Sequence, residues 1–141
     1  MIKKFENFDF LPTKRLFLDD WRIPRDCATY MWQRKVDCRI FHEEWDVVRS
    51  YGQFVAWVEN NGIPDVVSFD YDLDDVEELK EDLPIEEWFN IEENYSYKGT
   101  DCLRYLIRKC QEVGSVLPKC IIHSANPDGC DELKQLIDAN I

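Results

Sequence analysis

An α/β sandwich around a mostly parallel sheet of about four or five strands is the fold class that this sequence predicts. Three observations lead there. Short apolar runs, Leu16–Leu18, Val66–Phe69 and Cys120–Ile122, each break off at polar residues, as buried strands do at the edge of a sheet. Longer stretches carry apolar residues at helical spacing, most clearly Cys102, Leu103, Leu106, Ile107, Cys110 and Val113. The order strand, helix, strand makes a βαβ unit, for which a parallel sheet is the normal outcome.

The elements follow in order. Residues 1–14 are a mixed lead-in in which Phe5, Phe8 and Phe10 are available to pack. Leu16–Leu18 is the first strand; it stops at Asp19-Asp20, and Pro24 is expected to hold off regular structure after Trp21-Arg22-Ile23. Residues 25–43 are polar and aromatic together and are expected as loop, with room for a short helix or strand. Trp45–Arg49 has strand character, and Ser50 can cap a helix whose apolar face is Phe54, Val55 and Val58 with Trp57. Asn61-Gly62 ends that helix, and Val66–Phe69 is the next strand. Lys98-Gly99-Thr100-Asp101 opens the long helix, capped by Thr100 or Asp101, and Gly114 closes it. Pro118–Ile122 leads into the last strand. Asn126 then caps a final helix, with Pro127 in its first position and Leu133, Leu136 and Ile137 on one face.

With 141 residues and no internal repeat or linker, the chain reads as a single domain spanning 1–141. It contains no apolar run long enough to cross a bilayer, so no membrane contact is expected. The opening Met-Ile-Lys-Lys-Phe-Glu-Asn is not followed by a hydrophobic region; no secretory signal is expected, and a cytoplasmic location is the default. Six cysteines without a Cys-x-x-Cys pair read as reduced, mostly buried thiols rather than disulfides or a zinc site.

The net charge of -12 argues against a duplex nucleic-acid partner. That charge is concentrated: ten Asp or Glu against Lys80 alone lie between Asp74 and Glu93, a net -9, which leaves -3 for the rest. Leu79, Leu83, Ile85, Trp88, Phe89 and Ile91 are interspersed there, so residues 74–98 read as an acidic insertion or lid packed on the body. A solvated helical face is favoured over a metal-binding role for it, and a protein partner is a further use.

Three strands end in polar groups: Asp19-Asp20, Asp70-Tyr71-Asp72 and His123-Ser124-Ala125-Asn126. In a parallel sheet these ends share one edge, where open α/β folds place their ligands. Asp19, Asp20, Asp70 and Asp72 are hard oxygen donors suited to Mg²⁺ or Mn²⁺, with Ca²⁺ a further candidate. Arg22 and Arg49 can neutralise a phosphate, Ser124 can donate a hydrogen bond, and the amides after Asn126 offer a helix N-terminus to an anion. His123 can carry a proton near neutral pH.

The same residues carry a family resemblance. Leu16–Pro24 resembles an opening Leu-Asp-Asp-x-Arg-x-Pro, and Ser68–Leu73 resembles Ser-Phe-Asp-His-Asp-Leu. Gly99-Thr100-Asp101 resembles a Gly-Tyr-Asp helix start, and His123–Gly129 resembles His-Ser-x-Asn-Pro-x-Gly. In this order the motifs are similar to those of the cyclic-phosphate-processing receiver-like domain family of bacteria and their phages. The resemblance runs from Leu16 to the chain end and leaves out the acidic insertion. It implies a receiver-like (flavodoxin-like) three-layer sandwich and metal-assisted hydrolysis of a cyclic phosphate on an RNA end or a small nucleotide. Such a hydrolase would use Asp70 and His123 as catalytic groups. The sequence departs from the pattern at Tyr71, where the family has His. A phenol with a pKa near 10 is a poor base but can serve as an acid or hydrogen-bond donor. Two other readings stay open. One is a non-catalytic binder of a cyclic nucleotide or protein, the other a receiver phosphorylated on Asp70. Against the second, no Lys ends a last strand.

Overall fold

A computed structural model of the chain describes residues 13–31, 37–73, 81, 83–88 and 97–141. Among the described residues the sheet has four strands, β1 (Arg15–Leu18), β2 (Asp46–Val48), β3 (Val66–Phe69) and β4 (Lys119–Ile122). All pair in parallel, in the spatial order β2-β1-β3-β4. That is the flavodoxin-like order of the receiver fold, and it reverses direction between β1 and β3. Strands β1 and β3 lie inside the sheet, which is why Leu16, Phe17, Leu18, Val67, Ser68 and Phe69 are all fully buried.

Among the described residues four helices flank the sheet: α1 (Pro24–Tyr30), α2 (Tyr51–Asn61), α3 (Gly99–Val113) and α4 (Pro127–Asp138). Side chains alternate across a strand, so each strand feeds two cores. Leu16, Leu18, Val67 and Phe69 point into the larger core, with Phe54 and Val58 of α2, Leu103 and Leu106 of α3, and Leu133 of α4. Phe17 and Ile121 point the other way, against Cys27 of α1, Met31 and Phe41. The result is three layers. Among the described residues no helix is long and apolar enough to cross a membrane.

Most local expectations hold. Ser50 Oγ accepts from the Gln53 amide at 3.2 Å, Asn126 Oδ1 accepts from Gly129 at 3.0 Å, and Gly114 ends α3 at φ 71°. Asp101 secures the start of α3 by accepting from the Lys98 amide at 2.7 Å. All six cysteines are free thiols, and Cys27, Cys102 and Cys110 are buried.

The region after β1 differs from the expectation. Pro24 begins α1 instead of delaying it, because a first-turn residue needs no amide hydrogen; Asp26 accepts from the Ile23 amide at 2.9 Å. Residues 25–43, read as loop with room for a short helix or strand, contain most of α1 and a 3₁₀ turn at Cys38–His42 in their described part. Of the acidic insertion, 74–80, 82 and 89–96 lie outside the described residues, as do 1–12 of the lead-in. The described portion holds a 3₁₀ turn at Ile85–Glu87.

One glycine is required by packing. The first turn of α3 crosses the exit of β3 so closely that a Cβ on Gly99 would lie 1.8 Å from the Asp70 carbonyl oxygen. The Gly99 amide donates to the Tyr71 carbonyl at 2.7 Å. Gly99→Ala is expected to destabilise the protein by about 3 kcal/mol in urea melts, since backbone must move. Gly52→Ala on α2, where a Cβ would only touch Ser50 Oγ at 4.0 Å, is expected to stabilise it by about 0.5 kcal/mol. Equal effects from the two substitutions would contradict the packing argument.

Candidate active site

The sheet register builds the site. Leu18 pairs with Phe69, and Phe69 with Ile122. One residue further on, Asp19, Asp70 and His123 follow in one row at the carboxyl edge. Backbone bonds extend the ladder that far: the Asp70 amide donates to Leu18 at 2.9 Å and the His123 amide to Phe69 at 3.0 Å. By the two-residue period these side chains share a face with Phe17, Ser68 and Ile121. They sit beside the switch between β1 and β3, where this fold opens a crevice.

Asp19 and His123 are both fully buried and bonded to each other. The imidazole stacks on Phe17, with centroids 4.4 Å apart and planes 4° from parallel. Its Nδ1 lies 2.7 Å from Ser68 Oγ and its Nε2 lies 3.0 Å from Asp19 Oδ2. Asp19 Oδ1 accepts from the amides of Trp21 and Arg22 at 3.0 and 2.9 Å. Burial pushes the Asp19 carboxyl up, but the bonds from His123, Arg22 and Trp21 outweigh it and hold the pKa at about 2. Asp19 is therefore a fixed negative charge.

Asp70 has the opposite balance. Its carboxylate accepts from the Tyr71 amide at 2.8 Å. Burial, then the charge of Asp19, push its pKa up to about 7, with Asp20 adding to the rise and Arg22 opposing it. A cleft of about 160 Å³ opens in front, lined by Asp20, Trp21, Arg22, Asp70, Asp72, Ser124, Ala125 and Asn126. Ligand atoms of Asp19, Asp70 and His123 lie within 4.8 Å of one another, close enough to hold a metal ion.

The far wall comes from the start of α4. Asn126 Nδ2 donates to Asp72 Oδ2 at 3.1 Å, and Lys98 Nζ lies 3.4 Å from Asp72 Oδ1. Ser124 Oγ accepts from the Asn126 amide at 3.1 Å. Of the amides after Asn126 expected to greet an anion, Pro127 has none and Gly129 is already bonded to Asn126 Oδ1.

Eight of the expected site residues fall into two groups, and Arg49 and Tyr71 belong to neither. Asp20, Asp70, Asp72, Arg22, Ser124 and Asn126 meet at the cleft. Asp19 and His123 stand behind it, with the imidazole bonded through both ring nitrogens. Arg49 is directed to the backbone instead: its guanidinium donates to the carbonyls of Asp19 and Arg22, which clamps the loop after β1. Tyr71 is turned toward α4. Its ring fills the space where a Cβ on Gly129 would lie 2.3 Å away, and its hydroxyl bonds to Glu132, which raises its pKa. His42 is exposed in the turn before β2.

Three contributors had no role assigned from the sequence. Ser68 orients the imidazole, Lys98 pairs with Asp72, and Trp21 lines the cleft. A serine inside an otherwise apolar buried strand was the available signal for the first. The other two depend on loop paths.

Comparison with known families agrees with this geometry. The family described as cyclic-phosphate processing Receiver domain matches residues 14–139, which includes every residue of the row and of the cleft. No curated protein and no solved structure shows a significant match. The sheet order, the acidic cleft at the switch point and the extent of the match lead to one conclusion: the chain belongs to the cyclic-phosphate processing receiver domain family.

Proposed function

We propose that this protein is a metal-dependent phosphoesterase that hydrolyses a cyclic phosphate on an RNA end or a small nucleotide. The observation that carries the reading is the cleft itself, whose described lining sets the carboxylates Asp20, Asp70 and Asp72 against Arg22, with Lys98 paired to Asp72 beside it. Such a wall repels a phosphate unless a cation intervenes. The raised pKa of Asp70 expresses the same deficit, because charge there lacks compensation.

The donors fit a hard divalent ion. Asp70, with Asp20 and Asp72, would hold Mg²⁺ or Mn²⁺, which when bound supplies charge neutralisation on phosphoryl oxygens. Asp19 and His123 serve better as support than as ligands, since His123 would have to give up Asp19 or Ser68 to bind an ion. His123 and Ser68 then keep Asp19 oriented. Arg22 faces the phosphate, and Ser124 with Asn126 forms the opposite wall. The buried, doubly bonded His123 favours one second reading, a non-catalytic binder of the same ligand.

Phosphorus NMR on a panel of cyclic phosphates, with and without Mg²⁺ or Mn²⁺, separates the two. Product is expected only with metal, and Asp70→Asn is expected to lower turnover by about a hundredfold or more while the protein stays folded. Unchanged ligand across the whole panel would leave the binder.

Asp70 also sets a pH signature. Its folded pKa, about 7, lies above the ordinary 3.8, so the metal-free folded state keeps a proton that the unfolded chain has released. Stability conferred by that proton is lost as pH rises from about 4 to about 7. Asp19 has the reverse sign: its contribution is present above pH 3.8 and is lost as pH falls toward 2. In metal-free buffer the melting temperature is expected to drop by roughly 5 °C between pH 5 and pH 8. Mg²⁺ or Mn²⁺ is expected to restore it at pH 8, and Asp70→Asn to abolish both effects. A melting temperature indifferent to metal at pH 8 would remove the cation from the proposal.

A further inference from the structure

We propose that Trp21 is a stacking platform for the base of a nucleotide, so that the cleft selects a cyclic phosphate carried by a nucleoside over a base-free one. The inference rests on reading the cleft as a cyclic-phosphate site and adds which part of the ligand is recognised outside it.

Size comes first. The cleft, of about 160 Å³, is open to solvent on one side. A nucleotide seated there by its phosphate can extend across the rim.

Trp21 forms that rim on the β1 side. It lines the cleft and yet keeps 68 % of its surface exposed. An indole left open beside a polar site is where aromatic surface remains to be covered. The residue is also held in place. Its amide donates to Asp19 Oδ1 at 3.0 Å, and the next amide to the same oxygen at 2.9 Å, so the loop is tied to the row of site residues. The Arg22 guanidinium lies 5.0 Å from the ring centroid and 3.6 Å from Asp19 Oδ2. A cation so anchored backs one face of the indole, and a base can take the other.

Electrostatics favours a neutral contact of this kind. Asp20, Asp70 and Asp72 surround the phosphate position, and the whole chain carries -12. Among the described lining residues Arg22 is the basic one, and stacking adds affinity without a charge requirement.

The test compares adenosine 2′,3′- and 3′,5′-cyclic phosphates with their 1-O-methylribose counterparts. The full chain is used with Mg²⁺ or Mn²⁺, reading kcat/KM where product forms and Kd by titration calorimetry where it does not. The wild type is expected to prefer a base-bearing ligand by roughly tenfold or more. Trp21→Phe should keep most of that preference, and Trp21→Ala should bring the ratio close to one. Because the side chain is exposed, circular dichroism is expected to show both variants folded. Equal treatment of the paired ligands by the wild type overturns the proposal, as does a preference that survives in Trp21→Ala, or failure of every ligand to engage. A preference seen in binding without product upholds the platform and removes the hydrolase reading. Product from both ligand types at equal rates does the reverse.

Discussion

The bond between Asp19 and His123 depends on a sheet register, and the remaining site geometry depends on that bond. Both residues lie one step past the paired ends of their strands, so a slip of one residue in β4 would turn the imidazole to the opposite face of the sheet. With the register as it stands, His123 is fixed between Ser68 and Asp19 and stacked on Phe17. Asp19, supplied with hydrogen bonds from three sides, stays ionised inside the protein. Its charge is in turn a main reason, after burial, that Asp70 holds its proton so tightly. The two carboxylates thus have opposite characters, one a permanent charge and one poised near neutrality, from surroundings set by a shared row.

A second constraint is steric. The exit of β3 passes beneath the start of α3 and alongside α4, and both approaches are closer than any side chain larger than hydrogen allows, at Gly99 and Gly129. Gly99 lets the Tyr71 carbonyl bond to the first turn of α3, and Gly129 makes room for the Tyr71 ring. Tyr71 therefore acts as a wedge between the β3 loop and α4. This arrangement aims Asp70 and Asp72 at the cleft on either side of a residue that turns away from it, because neighbouring side chains on an extended segment alternate.

These constraints together shape the acidic cleft. The cleft concentrates negative charge where a hard cation would be held, Arg22 is the one basic residue of its described lining, and Trp21 adds apolar surface at its edge. Trp21 occupies a position that the opening Leu-Asp-Asp-x-Arg-x-Pro pattern leaves unspecified. Arg22 and Trp21 are thus adjacent in the chain, on a loop clamped by Arg49.

Much of the fold was legible in the sequence because its signals are local. Buried parallel strands announce themselves as apolar runs, and Ser50, Asn126 and Gly114 mark helix ends through chemistry within a few residues. Pro24 misled because the same ring that breaks a helix interior suits a helix start, and only the chain's path tells the two apart. For the site, the sequence by itself determined the set of strand-end carboxylates, the histidine and the edge they occupy, since parallel strands leave no other arrangement. The tertiary structure decided which of them line the cleft. It placed Asp19 and His123 behind the cleft, directed Arg49 to backbone carbonyls, turned Tyr71 onto α4 and left Trp21 at the rim. Those outcomes depend on register, on close approaches at glycine and on loop paths between distant segments, and none of these is encoded in the spacing of neighbouring residues.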